Sequence, residues 1–464
     1  MFTICPVDAN VSDIVCGRPV RLKSIHINSS DNFRRGNRQE SHRPLKVLIS
    51  EIQYRIDSYM EIVQSLLTKV GIVGKPQMKA LTTLFATILI ACGKVNFSNL
   101  SRYSSLSERT YRRAFEKSFD YAGFNAAVIK VAVPENQAMI AVMDCSFIAK
   151  SGKKTFSLDR FYNGSHSRVE RGLEVSLVAV VDVEMEVGYG LLAEQTFNQA
   201  SFPELTRLDY YLYHLEMARP HLPPQIQYLA VDGAYAQEPF ITGVIALHLQ
   251  VISKLRRDAN LRYRFEGVQK ARGRRRKYDG RVDLTNLGRF TGVSQVQPGV
   301  DLYTQVVWHV SLKRQIRLAV LKDSRQPDKP SYTTLFSTDI AQSAQEIYHF
   351  YKLRFQIEFI FRDAKQFTGL CDCQARDVKK LDFHFNASFT ALNLAKLDIH
   401  RQQSGNAPFV FSMASVKRRA LNDHLLDTFI SKLGLSPTAI KSHPNYQSLR
   451  SYGVIAARFC PDYC

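Results

Sequence analysis

No apolar run in this chain is long enough to span a bilayer. The longest, ALTTLFATILIACG (80–93), falls short of the ~20 residues that a spanning helix needs and reads as a buried helix instead. The first residues, MFTICPVDANVSDIVCG, lack a basic segment followed by an apolar one, so no secretory signal is expected. Cysteine is present eight times but without metal-site spacing. Cys371 and Cys373 are separated by one residue and Cys460 and Cys464 by three, and no matching Cys or His pair follows either. This excludes a zinc module and leaves a reduced cytosolic protein with scattered thiols. Cys145 resembles a nucleophile only by its position beside Asp144; strand alternation points it to the opposite face, as a packing residue. Acidic residues are the scarce charge: 42 Asp and Glu against 62 Lys and Arg, a net +20. That bias favours a polyanionic partner, nucleic acid before an anionic membrane, since no basic amphipathic helix with a clean apolar face stands out.

The most informative segment is FYKLRFQIEFIFRDAKQF, in which Tyr351, Arg354, Glu358 and Lys365 follow the pattern Y-x2-R-x3-E-x6-K. At 100° per residue the four fall on one narrow arc of a helix, with Glu358 beside both Arg354 and Lys365. Phe350, Leu353, Ile357, Ile360, Phe361 and Ala364 cluster on the adjoining arc and should be buried. Ordinary surface ion pairs also give such charge patterns. Four specified residues at roughly 5% usage each, however, meet by chance in about one window in 10⁵. A carboxylate flanked by two cations suits a site that holds metal and phosphate together, provided that further carboxylates exist upstream.

Two candidates do. AMIAVMDCSF ends an apolar run on Asp144 and IQYLAVDGAY ends another on Asp232; both runs read as buried strands. Either aspartate alone reads more readily as a turn-initiating residue than as a ligand. Two strand-end aspartates with a helical glutamate are the hard oxygen ligands that Mg²⁺ prefers.

In this order and spacing, Asp144, Asp232 and Glu358 with Tyr351, Arg354 and Lys365 resemble the DDE transposases of bacterial insertion sequences, in the subgroup with the Tyr-Arg-Glu-Lys signature. The resemblance covers about residues 136–400 and includes Gly233 and Tyr235 after the second aspartate. It implies that Asp144, Asp232 and Glu358 are catalytic and hold two divalent cations (Mg²⁺ or Mn²⁺). Tyr351, Arg354 and Lys365 would then contact phosphates of the element end; the partners would be double-stranded DNA, the terminal inverted repeats and the target, with a homodimer in the DNA complex. It also implies a cytoplasmic bacterial protein, associated with the nucleoid when bound to DNA, and an endonuclease activity in DNA recombination. Some relatives place a tryptophan just before the signature helix to hold a flipped base. Here that stretch is SYTTLFST (331–338), and the sole tryptophan, Trp308, sits a strand earlier and reads as core. The hairpin route of cleavage is thus left without its usual residue.

The 464 residues allow two to four domains. Residues 1–45 read as a flexible basic tail and 46–135 as a helical, DNA-binding domain. Within the latter, Ser105 and Glu108 form a capping-box pattern that starts a helix at Leu106 and presents Arg109, Arg112 and Arg113 beside Tyr111. A helix-turn-helix reader and a helical bundle with a basic exposed face both fit this pattern. Residues 136–254 read as three strands, a helix from Pro203, a strand, a helix and a strand. That is the order of an α/β, ribonuclease-H-like mixed sheet, in which the first and fourth strands, bearing Asp144 and Asp232, lie side by side. His166, in YNGSHSRVERG, reads as a loop residue. Residues 255–338 form a β-rich insertion whose basic run Arg274, Arg275, Arg276, Lys277 is expected on the DNA backbone. Residues 339–400 return to the core with the glutamate helix and one further helix, and 401–464 are a C-terminal helical region. Two other functions share these features: a DNA-binding regulator descended from such an enzyme, and a structure-specific nuclease of the same fold.

Overall fold

The computed structural model describes residues 55–71, 73–402 and 409–455, so the tail expected over 1–45 lies outside the described residues. Five helices come first: α1 (Arg55–Val70), α2 (Lys75–Ile90), α3 (Phe97–Leu100), α4 (Glu108–Ala114) and α5 (Tyr121–Ala132). The start of α4 differs from the capping-box expectation. Ser107, not Ser105, is the cap, accepting from Thr110 N–H, while Glu108 is spent on the Ser98 hydroxyl (2.6 Å) and the Arg112 guanidinium. Both serines suit a cap in sequence, and the Ser98 bond, ten residues back, takes up the Glu108 carboxylate that a box with Ser105 would need.

Strands β1 (Met139–Ala149), β2 (Asp159–Asn163), β3 (Arg168–Asp182) and β4 (Val187–Gln195) precede α6 (Arg207–Ala218), β5 (Tyr228–Val231), α7 (Glu238–Ala246) and β6 (Gln250–Lys254). Helix α6 starts four residues later than Pro203, because Thr206 and Asp209 make a reciprocal capping box that leaves Leu205 outside. Then follow β7 (Leu261–Arg264), β8 (Tyr278–Arg281), β9 (Thr291–Gln297), β10 (Val300–His309), β11 (Arg314–Asp323) and β12 (Ser331–Ser337). The chain ends in α8 (Ala344–Leu353), α9 (Gln356–Phe367), α10 (Val378–Gln402), α11 (Met413–Lys432), α12 (Pro437–Lys441) and α13 (Tyr446–Arg450). Among the described residues no helix is long and apolar enough to cross a membrane.

The architecture is mixed α/β: one 12-stranded sheet, in the order β2-β3-β1-β5-β6-β12-β11-β10-β7-β8, with β4 on β3 and β9 on β10. The β-rich segment after β6 does not stand apart from the sheet. Strand β12 pairs with β6 (Phe336 opposite Ser253), so β7–β12 extend the same sheet. No local pattern signals this, because a strand's sequence states that it pairs but not with which neighbour. Nor do the first helices stand apart. Asn125 on α5 donates to Leu191 O on β4 and accepts from Thr390 and Asn393 on α10. Asn393 and Asn386 in turn bond the backbone of Gly190 and Ala193, covering the open edge of β4 with polar side chains.

Two features position the site. Strand β1 does not end at Asp144 but continues to Ala149, held by antiparallel pairing with β3 (Ala149 opposite Gly172). On its other side the parallel pairing with β5 stops at Met143 opposite Val231, one residue before both aspartates. Asp144 is therefore in mid-strand, at the point where its parallel neighbour ends. The second feature is a close approach. A Cβ on Gly188 would lie 2.9 Å from Ile360 Cδ1, so its absence lets α9 sit directly on β4. Helix α9 buries Ile357, Ile360, Phe361 and Ala364 there, with each large side chain contributing about 1.5–3 kcal/mol.

Candidate active site

The signature segment is two helices, not one. The chain stays right-handed through Arg354 and Phe355, but Phe355 N–H reaches Lys352 O (3.1 Å) and Glu358 N–H reaches Phe355 O (3.0 Å). These i→i+3 bonds tighten the turn and separate α8 from α9. No Pro or Gly marks the break, which is why periodicity alone predicts a continuous helix. It coincides with a residue that reaches across to Asp144 on β1.

That residue is Arg354. Its guanidinium is buried, donating to Asp144 Oδ2 at 3.2 Å through one arm and to Glu358 Oε1 at 3.0 Å through the other. Among the described residues its Nε finds no acceptor. Asp144 Oδ1 accepts from Cys145 N–H (2.8 Å). Burial pushes the Asp144 carboxyl up to about 6; Arg354 and the Cys145 N–H pull it down, and the nearby Asp232 and Glu358 carboxylates add to the rise. Asp232 stands at the start of a short 3₁₀ turn without a side-chain cap bond to it, and its carbonyl accepts from Ser253 Oγ on β6 (3.0 Å). Tyr351, on α8, is held up to about 12 chiefly by burial, with Arg354 drawing it down and Asp232 pushing it up. Asp144, Asp232, Glu358, Tyr351 and Arg354 thus form one electrostatic cluster.

Lys365 is elsewhere. The helical arc places it beside Glu358, but its ammonium donates to Phe147 O on β1 (3.0 Å), three residues beyond Asp144. Burial lowers its pKa. Two helical turns carry it about 10 Å along α9 from Glu358, and the strand's backbone captures it there.

Three hard carboxylates on β1, after β5 and on α9 fit the donor chemistry of a divalent ion. Among the described residues, however, no three acidic, histidine or cysteine side chains stand close enough to grip one. Arg354 stands between Asp144 and Glu358 and supplies the positive charge. Cys145 lies on the opposite face with Glu174 and Tyr211: Tyr211 Oη donates to Glu174 Oε1 at 2.7 Å and lies 3.6 Å from the thiol. Burial pushes that thiol up, away from a reactive thiolate.

The remaining candidates are spread over the surface. Arg109 and Arg113 are exposed on α4; Arg112 pairs with Glu108 and lies 5.1 Å over the Phe97 ring. Arg274, Arg275 and Lys277 are exposed, but Arg276 is tied to Asp279 (2.7 Å), to Tyr278 O and over Phe265. Trp308 is half-buried on β10 under Arg264 (5.1 Å). Five strand steps separate β10 from β1, about 24 Å, so its ring does not face the carboxylates. His166 is a loop residue as expected, in the turn at the tip of the β2–β3 hairpin, with Nδ1 2.9 Å from Glu170. The alternation Arg160, Tyr162 against Val169, Arg171 is the available sequence signal for that hairpin, hidden by its polar content.

No curated protein matches the chain at a significant level. Residues 177–394 match the family model described as the transposase DDE domain, a span that includes Asp232 and the whole 351–365 signature and begins after Asp144. Over those residues, somewhat under half of the chain, the protein is similar to transposase DDE domains.

Proposed function

We propose that this protein is a DNA transposase that binds the ends of an insertion element, cuts there and joins the cut ends to target DNA. The observation that carries the reading is the pairing of β1 with β5, which brings Asp144 and Asp232 to the same end of two parallel strands, with Glu358 tied to Asp144 through Arg354. A ribonuclease-H-like core over β1–β6, with β7–β12 as its β-rich insertion, agrees with this placement. Asp144, Asp232 and Glu358 would hold Mg²⁺ or Mn²⁺, which activates water or a 3′-hydroxyl and stabilises the leaving oxygen. The chain's own part is to position DNA. Arg354, already buried, offers a guanidinium fork that a phosphate matches as well as a carboxylate does. Tyr351 offers a phenol from α8, and Lys365 a cation further along the strand path. Such backbone contacts fix register and carry no sequence information. Discrimination between DNA ends is assigned to Arg109, Arg112 and Arg113 on α4.

The test is incubation of the full chain with DNA bearing the inverted repeats that flank its gene, with Mg²⁺, Mn²⁺ or EDTA. Strand joining to target DNA is expected with either metal and not in EDTA. Cutting without joined product would identify a nuclease, and unchanged binding with no cutting under any condition would identify a regulator.

Exposed Arg274, Arg275 and Lys277 carry a separate expectation. Replacing the three with alanine should lessen the slope of log affinity against log salt by up to about three units, one counterion per lost phosphate contact. Arg276 is left out because its guanidinium is already held within the fold. An unchanged slope in a fluorescence-anisotropy titration would mean that the run faces solvent.

A further inference from the structure

We infer that the β2–β3 hairpin is a second DNA-backbone contact, which grips the duplex where it leaves the carboxylates. This rests on the DNA reading above. Register defines the surface: Arg160 lies directly opposite Arg171, and Tyr162 directly opposite Val169. Directly opposed residues point to one face, so these four form a single patch. All four are exposed, Tyr162 at 60% and Val169 at 50%.

The same face carries Asp144. Strand β3 pairs Leu177 with Asp144, Val175 with Ser146 and Leu173 with Ile148. Alternation then places Arg171 and Val169 on that side, beyond the last β1 residue. Leu173, Val175 and Leu177 are buried, and the character changes from apolar to cationic where the hairpin overhangs the sheet. Six residues from Leu177 to Arg171 span about 20 Å. This is about six nucleotides of duplex at 3.4 Å each.

Charge gives the second argument. Two arginines in a direct cross-strand pair repel and lower the stability of the hairpin. Among the described residues neither has a carboxylate partner, whereas the neighbouring Arg168 is spent on Glu170 at 2.6 Å. Lys153 and Lys154, exposed in the β1–β2 connection, add to the field. The opposite face, by contrast, is fastened down. Phe161 is buried beneath the Arg207 guanidinium (4.4 Å), and Arg207 also donates to Arg160 O (2.9 Å). Asn163 donates to Glu170 (2.8 Å). A hairpin rigid on one side, with repelling cations and an exposed phenol on the other, suits phosphates under the guanidinium groups and a sugar face against Tyr162.

The experiment measures binding of the full chain to a duplex of about 30 base pairs and arbitrary sequence, in EDTA, across a salt series, together with the melting temperature of each variant. Arg160→Ala/Arg171→Ala should lower the salt slope by about two units and leave the melting temperature unchanged or higher, because a repulsion is removed. Arg160→Lys/Arg171→Lys should keep the slope, which reads charge. Tyr162→Ala should weaken binding without changing the slope, since a phenol releases no counterions. An unchanged slope in the double alanine variant, with wild type binding normally, would overturn this contact and leave the DNA reading intact. A lower slope accompanied by a markedly lower melting temperature would assign the arginines a structural role and overturn it too. Absence of any wild-type binding would overturn both readings.

Discussion

Asp144→Ala, Asp232→Ala and Glu358→Ala are each expected to abolish DNA cleavage, by about 10³-fold or more, while leaving DNA affinity within a few fold of wild type. The size follows from sharing: when three ligands hold the same ions, losing one removes charge stabilisation worth several kcal/mol at the reacting phosphate. Affinity is expected to rest elsewhere, on the cations of a chain with net charge +20. Asp144→Ala has a second consequence, because it leaves buried Arg354 with Glu358 as its one remaining carboxylate partner. Asp144→Asn, which keeps the shape, is therefore the cleaner comparison and should be equally inactive. Cleavage within about tenfold of wild type for any of these variants, in a gel assay with Mg²⁺ at saturating protein, would remove that residue from the site.

The second large effect is on stability, and it runs opposite to activity. Burial raises the Asp144 carboxyl to about 6, from roughly 3.9 in an unfolded chain. Between these values the folded chain binds more protons at Asp144 than the unfolded one, so this group's contribution to stability is greatest below about pH 4 and is lost as pH rises through about 6. A rise of this size bounds the cost of the buried charge at about 3 kcal/mol, less what residual solvent access at Asp144 returns. Asp144→Asn removes the charge. In EDTA the variant should be more stable than wild type at pH 8 by about 1–3 kcal/mol, and equal to it at pH 4. Added Mg²⁺ should narrow the gap, because a ligand that binds only the folded wild type stabilises it alone. Urea denaturation at the two pH values, with and without the ion, measures this. Equal stability at pH 8 would show that Arg354 fully compensates the buried charge.

Local chemistry made much of this protein legible from its residues. Val- and Ile-rich runs marked β1 and β5, because side chains buried on both faces must be apolar along their length. The 3.6-residue period marked the buried arc of α9 and set Arg354 one turn from Glu358, where the two do pair. The order of strands and helices brought Asp144 and Asp232 to neighbouring strands, since crossover connections leave few other arrangements.

Long-range contacts decided the rest. Whether β1 stops at Asp144 depends on β3, which holds it to Ala149, and on β5, which ends at Val231. Ser107 caps α4, and Glu108 turns to Ser98, ten residues back, instead of closing a box with Ser105. Lys365 could satisfy its charge at Glu358 or on a backbone carbonyl, and the proximity of β1 settled it on Phe147. The tertiary fold also placed Arg354 between two carboxylates and broke the helix there, a geometry that no sequence window contains because Asp144 is 210 residues away. Propensity and period act over a few neighbouring residues, so they determined the elements and their faces. Partners of buried charges and edges are chosen across the whole chain, by whichever group reaches them as the core closes.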